Sequence, residues 1–432
     1  MVKGESNTTV ESGRRTRGSG APDNRAVIGS RLSAVRGVVG MDFVLFGLVF
    51  PILPLYARHL GMSVIAIGAV LGAYSLAQLI TAPLWGRLAD RRGRRLVLIV
   101  ALSGSALSAL GLALAGSGML LAVAVIVNGA SGGSMAVAQA AIADVTSQEH
   151  HAREFGLLGA YVAMGFVVGP GLASLSALGG IRLPFILAAV FGGANLAFAI
   201  ARFPETRGEL EIVKTRADAK SGEHAAQDEQ RSSRSLIRWL CLGAFGIVVL
   251  GFSGFESTFA LFERETRGFD VSGASLSFAL LGVVLATVEG RAISPVLRRF
   301  GAVSTILAGV ASFGAGMLLI GLSRSVVVLG LGLVLVAIGY GLVSPVLTAT
   351  VVQLVSTARR AGALGLQQSV SSLARVIGPV LGTGLFHSIG ARADYFVFAG
   401  IVFAMVLPLV NSDFRRSLEA VRASPRFSEV SP

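Results

Sequence analysis

The chain has a single cysteine, Cys241, among 432 residues, so no intrachain disulfide can form. Its five histidines (His59, His150, His151, His224 and His387) are scattered without metal-ligand spacing, and no G-x-x-x-x-G-K stretch occurs. These absences argue against a histidine metal centre and ATP-driven work by this chain, and no cofactor or metal is expected. Charge is scarce too: 14% of residues are Asp, Glu, Lys or Arg, against about 25% in soluble domains. So long a chain with so little charge does not read as a string of soluble domains. The charge that remains leans positive, 37 basic against 24 acidic residues for a net +13, which could suit nucleic acid. The basic residues sit in tails and alternate loops, however, without interleaved aromatics, so no nucleic-acid partner is expected.

Apolar sequence fills the rest: 53% of residues are hydrophobic, mean hydropathy is +0.72, and 55 are glycine. Runs such as "RLVLIVALSGSALSALGLALAG" reach the roughly 20 residues that cross a bilayer as a helix. Twelve spans are predicted, near 36–57, 64–84, 96–115, 119–143, 156–178, 183–202, 237–261, 273–293, 302–322, 326–350, 362–386 and 393–411. The expected organisation is a disordered basic tail over 1–35, a six-helix half over 36–203 and a charged linker over 204–235. A second half follows over 236–411, then a tail over 412–432. The tail lacks the apolar stretch and cleavage site of a signal peptide. Basic residues crowd one side, including five arginines within Gly86–Arg95, whereas the other side holds only Arg58, Arg182, Arg264, Arg267, Arg324 and Arg392. The crowded side, with both termini and the linker, is therefore expected in the cytoplasm of a cell-membrane protein.

The two halves repeat each other. Gly156, Gly169 and Pro170 match Gly365, Gly378 and Pro379; "LYARHLG" matches "LFERETRG", and Gly93 matches Gly301. Two parallel six-helix repeats with a site between them is a transporter architecture.

At this point the residues resemble the major facilitator superfamily, and within it the twelve-helix drug/proton antiporters of the tetracycline-exporter type. Gly86-x-x-x-Asp90-Arg91-x-Gly93-Arg94-Arg95 fits the family's loop motif at every position. Gly156, Gly165, Gly169 and Pro170 resemble the exporter motif of the fifth helix, with Ala173 and Ser174 replacing its closing glycines. "GMDFVLFGLVFPILPLY", "YSLAQLITAPLWG" and "FPETR" resemble the first, second and end of the sixth helix. One departure is Val125, where many proton-coupled members carry an arginine. The resemblance implies an all-α fold of two six-helix bundles. It also implies a cytoplasmic latch in which Arg94 reaches Asp144 while Asp90 lies against the start of the eleventh span, near Arg360 to Gly362. Arg87, Arg91, Arg92 and Arg95 are left to fix topology.

Ionisable groups inside the bilayer cost at least about 2.5–3.5 kcal/mol on insertion scales, so each needs a reason. Asp42 and Glu256 are read as proton-coupling acids, against the blander readings of an interfacial acid near Arg36 and a structural ion pair. Arg375 is paired on paper with Glu289, or with Glu256 as the alternative. Phe46, Phe50, Tyr74, Gln78, Asn128, Gln139, Phe252, Phe259 and Gln368, with Ser372, extend the expected cavity, each singly more often a packing residue than a ligand contact. The resulting expectation is a monomeric alternating-access exporter of small lipophilic or cationic compounds, driven by protons and embedded in the lipid bilayer. The rival readings are a porter for sugars, amino acids or other metabolites, and, more remotely, a membrane enzyme or receptor.

Overall fold

The computed structural model describes residues 24–146, 148–203, 205, 229–355 and 360–405. The first 23 residues, most of the linker and everything beyond 405 lie outside the described residues.

Helices follow the hydropathy closely, with informative breaks. The first span is α1 (Asn24–Val49), a 3₁₀ turn (Phe50–Ile52) and α2 (Leu53–His59). Pro51 and Pro54 each sit at the start of the element after the break, where a missing N–H is harmless. α3 is Val64–Arg92, α4 Arg94–Ala113, α5 Gly118–Ala130, α6 Ser134–Val145, α7 Gln148–Ala177 and α8 Leu183–Arg202. In the second half come α9 (Glu229–Arg267), α10 (Val271–Thr287), a π turn (Val288–Ala292), α11 (Ile293–Leu322), α12 (Val326–Gln353), α13 (Arg360–Ser388) and α14 (Ala393–Ala404). Among the described residues, ten helical stretches are long and apolar enough to cross a membrane. One of them, Val271–Leu322, is two spans joined at Gly301, whose φ of 76° breaks α11. With the shorter apolar α14, these account for the twelve expected spans.

Two boundaries differ from the sequence reading. Helix α1 starts at Asn24, inside the stretch expected to be a disordered tail, and Leu32 and Val35 are buried. Helix α9 starts at Glu229, so the last residues of the expected linker are helical. Polar residues hid both extensions from a hydropathy reading, because a helix outside the apolar slab needs only one buried stripe.

Four of the helices that enter from the end opposite Gly86–Arg95 share one start signal, whereas α8 and α14 start there without a side-chain cap. Ser63, Ser117, Asp270 and Ser325 cap α3, α5, α10 and α12 by accepting from the N–H three residues on. These are the second and fourth spans of each half. Packing repeats as well. In each half the first span lies on the fifth, α1 on α7 and α9 on α13, and the halves meet through α3–α13 and α7–α10. Each of those crossings joins a second span to a fifth span of the other half, as a pseudo-twofold requires. The seam of α1 and α7 is nearly backbone on backbone: a Cβ on Gly169 would stand 2.8 Å from the Gly47 Cα.

Candidate functional site

Between the halves lies a cavity of about 210 Å³. Its two walls are unlike. The N-terminal half contributes Phe46 and Phe50, stacked with ring centroids 4.7 Å apart, and Phe166, 5.7 Å from Phe46. Helical spacing of four puts both α1 phenylalanines on one face. Phe252, Phe278, Glu256, Glu289, Tyr340, Ser344 and Arg375 line the other side, all from the C-terminal half. Glu256 is otherwise buried, whereas Glu289 is exposed to the cavity and sits in the π turn after α10. Such turns often mark functional positions because the extra residue re-aims a side chain.

The Arg375 guanidinium lies beside Tyr340, with Glu256 and Tyr74 within electrostatic reach. The Tyr340 ring in turn stacks on Phe252 at 4.0 Å. Of the two partners expected for Arg375, the structure brings up Glu256, while Glu289 faces the same cavity without reaching the guanidinium.

Other expected cavity residues are placed elsewhere. Asp42 accepts a hydrogen bond from Ser134 Oγ at 2.5 Å and does not line this cavity. Ser134 is the first residue of α6, so Asp42 meets the fourth span at its break, where a helix N-terminus favours negative charge. It is not an acid paired with Arg36, which bridges to Glu154 at 3.5 Å. Tyr74 and Asn128 join Phe46, Phe50 and Val125 around a small apolar side pocket. Gln78 packs where Gly132 leaves room, and Gln139 and Gln368 are exposed, away from the cavity. Phe259 is fully buried against Phe255 and Phe278, so it belongs to the core of its own half. Sequence reasoning missed Tyr340, whose glycine-flanked position in "AIGYG" was the available signal.

At the arginine-rich end, Arg94 bonds Asp144 through Nε at 3.1 Å and Asp90 through Nη1 at 2.6 Å. The carboxylate of Glu205, from "FPETR", accepts from the backbone N–H groups of Arg94 and Arg95 at 3.0 and 3.3 Å and so caps α4. Arg95 also donates to the Ile200 carbonyl at 2.6 Å, near the end of α8, a more specific contact than the topological task expected of it. Asp90 itself is exposed, and the side chains of Arg360 and Ala361, where the latch contact was expected, lie outside the described residues. The halves part toward this end. They touch at the other, where Ser174 and Ser272 exchange hydrogen bonds and a Cβ on Gly72 would crowd the Val376 carbonyl. Around Gly86, Gly156, Gly290 and Gly362 there is open space. Gly156 therefore takes no part in the close packing seen at Gly165 and Gly169.

The chain matches the Major Facilitator Superfamily profile over residues 37–297 and 291–428. It is 28% identical over 392 residues to the class G tetracycline resistance protein of Vibrio anguillarum, covering 88% of this chain and 97% of that one. Multidrug resistance protein 1 of Bacillus subtilis (strain 168) is 26% identical over 373 residues, 85% of this chain and 92% of its own. The crystal structure of the human organic anion transporter MFSD10 superposes with a TM-score of 0.63 at 24% identity, covering 90% of this chain and all of that one. Matched along nearly its whole length, this chain belongs to the Major Facilitator Superfamily.

Proposed function

We infer that the protein is a proton-coupled exporter of small amphipathic molecules that works by alternating access. The observation that carries this reading is the two-faced cavity. An aromatic wall offers π-faces to a flat apolar body, and two carboxyls with one guanidinium face it. With all three groups ionised, that polar wall holds one negative charge in excess. A proton or a cationic substrate group can neutralise it, but not both at once, and mutual exclusion of the two is what antiport requires. The tetracycline and multidrug resistance relatives support the same reading.

Val125 leaves the fourth span without the arginine many relatives carry there, and Arg375 supplies an intramembrane guanidinium from the other half. We assign Glu256 as the coupling acid, Arg375 as its counter-charge, and Glu289 as the acid nearest the open end. Asp42 acts through Ser134 on the break of the fourth span. By the positive-inside rule the arginine-rich end is cytoplasmic, together with both termini and the linker, so this conformation faces inward.

The test is proton flux in inverted vesicles with tetracycline, ethidium, sugars and amino acids as probes. Expected are proton movement with the first two and loss of uphill transport in Glu256→Gln at normal protein levels. Uphill pumping that survives in both Glu256→Gln and Glu289→Gln, or proton-linked sugar uptake, sinks the reading.

A further inference from the structure

Two more acids are buried at the other end of the C-terminal half, outside the cavity. Glu263 near the end of α9 and Asp394 at the start of α14 have no solvent exposure. Glu263 accepts one hydrogen bond, from Ser277 on α10 at 2.5 Å, and its second oxygen has no partner. Asp394 accepts from Thr258 on α9 at 2.5 Å and lies near the first N–H groups of its own helix, while its other oxygen is unmatched. Tyr395 sits within electrostatic reach of both carboxyls, and its buried hydroxyl is also unpartnered.

Among the described residues one cation, Arg267, acts electrostatically on Glu263, and its Nε has no hydrogen-bond partner. Arg267 donates to the Ser323 carbonyl at 3.1 Å and its hydroxyl at 2.5 Å, lies over the Phe262 ring, and forms no ion pair with either acid. Arg392 is exposed and faces Arg267 rather than the carboxyls. Two ionised carboxylates would therefore leave buried negative charge unbalanced, which protein interiors avoid by taking up a cation.

We propose that Glu263 and Asp394, with Tyr395 beside both, form a second proton-binding site, separate from the cavity and supplied from the face opposite the arginine-rich loop. A proton from water converts a carboxylate there to the neutral acid, with no other bond made or broken. The Ser277 and Thr258 hydroxyls suit both forms, since a hydroxyl donates to a carboxylate and accepts from a carboxylic acid. The place is consequential: α9 packs against α2 of the other half, on the seam that must part for the cavity to open that way. The site does not depend on what the cavity carries.

Infrared difference spectra between neutral and alkaline buffer, on the full chain in lipid nanodiscs, test it. In a Glu256→Gln/Glu289→Gln background, which empties the cavity of acids, a buried carboxylic-acid C=O band is expected to persist. Adding Glu263→Gln and Asp394→Asn should remove at least half of it. Ser277→Ala keeps the acid but deletes its donor, so it should move the pH at which the band is lost. A band unchanged by all three substitutions overturns the site, and so does a band that emerges only when sodium and potassium are withdrawn.

Discussion

Gly93 gives the sharpest test of how the arginine-rich loop is built. Its φ of 98° and ψ of 155° fall in a region that is essentially glycine-only, where another residue costs about 1–3 kcal/mol. A Cβ there would also stand 2.8 Å from the Glu205 carboxyl carbon, displacing the group that caps α4. A carboxylate at a helix N-terminus is worth about 0.3–1 kcal/mol when exposed, as Glu205 is. Gly93→Ala should therefore cost about 2–4 kcal/mol, and Glu205→Ala about 0.5–1 kcal/mol.

The two losses overlap, which makes the reasoning checkable. Once Glu205 is an alanine, the added methyl on residue 93 meets no carboxylate and only the backbone strain remains. The double variant should be less damaged than the sum of the singles by about 0.5–1 kcal/mol, within reach of a double-mutant cycle. Thermal unfolding of the purified full chain reads all four corners of the cycle, with a midpoint drop for Gly93→Ala on the order of 2–4 °C. Strict additivity, or a Gly93→Ala variant as stable as the parent, refutes the account of why glycine stands there.

Other expectations follow from the same geometry. The charge swap Arg94→Asp with Asp144→Arg should recover part of the export lost in each single variant, whereas Arg95→Ala should lower stability through the Ile200 contact; vesicle export and thermal unfolding read these separately. Replacing Ser174 and Ser272 with valine removes the reciprocal hydrogen bonds between halves and should raise reactivity of cavity cysteines, such as Ser344→Cys in a Cys241→Ser background, toward reagents from the face opposite the arginines. Unchanged reactivity there means the serines do not hold that end shut. Gly169→Val forces a side chain into the Gly47 backbone and should cost several kcal/mol, on the order of an overpacked core, seen as loss of folded protein in detergent.

Much of the architecture was legible because hydropathy, charge asymmetry and the repeat are properties of local sequence. Contacts that join distant segments were less so. Arg94 with Asp144 was reached through the family pattern, yet nothing in "FPETR" alone says that Glu205 folds back onto the first turn of α4. On α9 the period of the helix groups Phe252, Glu256 and Phe259, but a span packed on every side has no single functional face. Phe259 consequently fell to the core and Phe252 to the cavity. Asp42 was legible as an unusual acid, but not as the partner of a helix break, because the break depends on how Gly132 and Gly133 let α3 approach with Gln78 and Trp85.

The two ends of the molecule hold together by different chemistry, and that difference bears on how it can switch. At the arginine-rich end the Arg94 ion pairs, with Asp90 and Asp144, close within the N-terminal half, with the Glu205 cap beside them. Parting the halves there breaks none of these bonds, so the charge cluster can stay satisfied in the conformation seen. At the other end the halves meet through two serines and through glycines that admit backbone. Neutral hydrogen bonds of about 0.5–1.5 kcal/mol each can be exchanged for water when that seam opens. A transporter must keep its two states within a few kcal/mol, so that a proton or a substrate decides between them. Inter-half ion pairs at both ends would deepen both states; keeping the Arg94 pairs within one half avoids that.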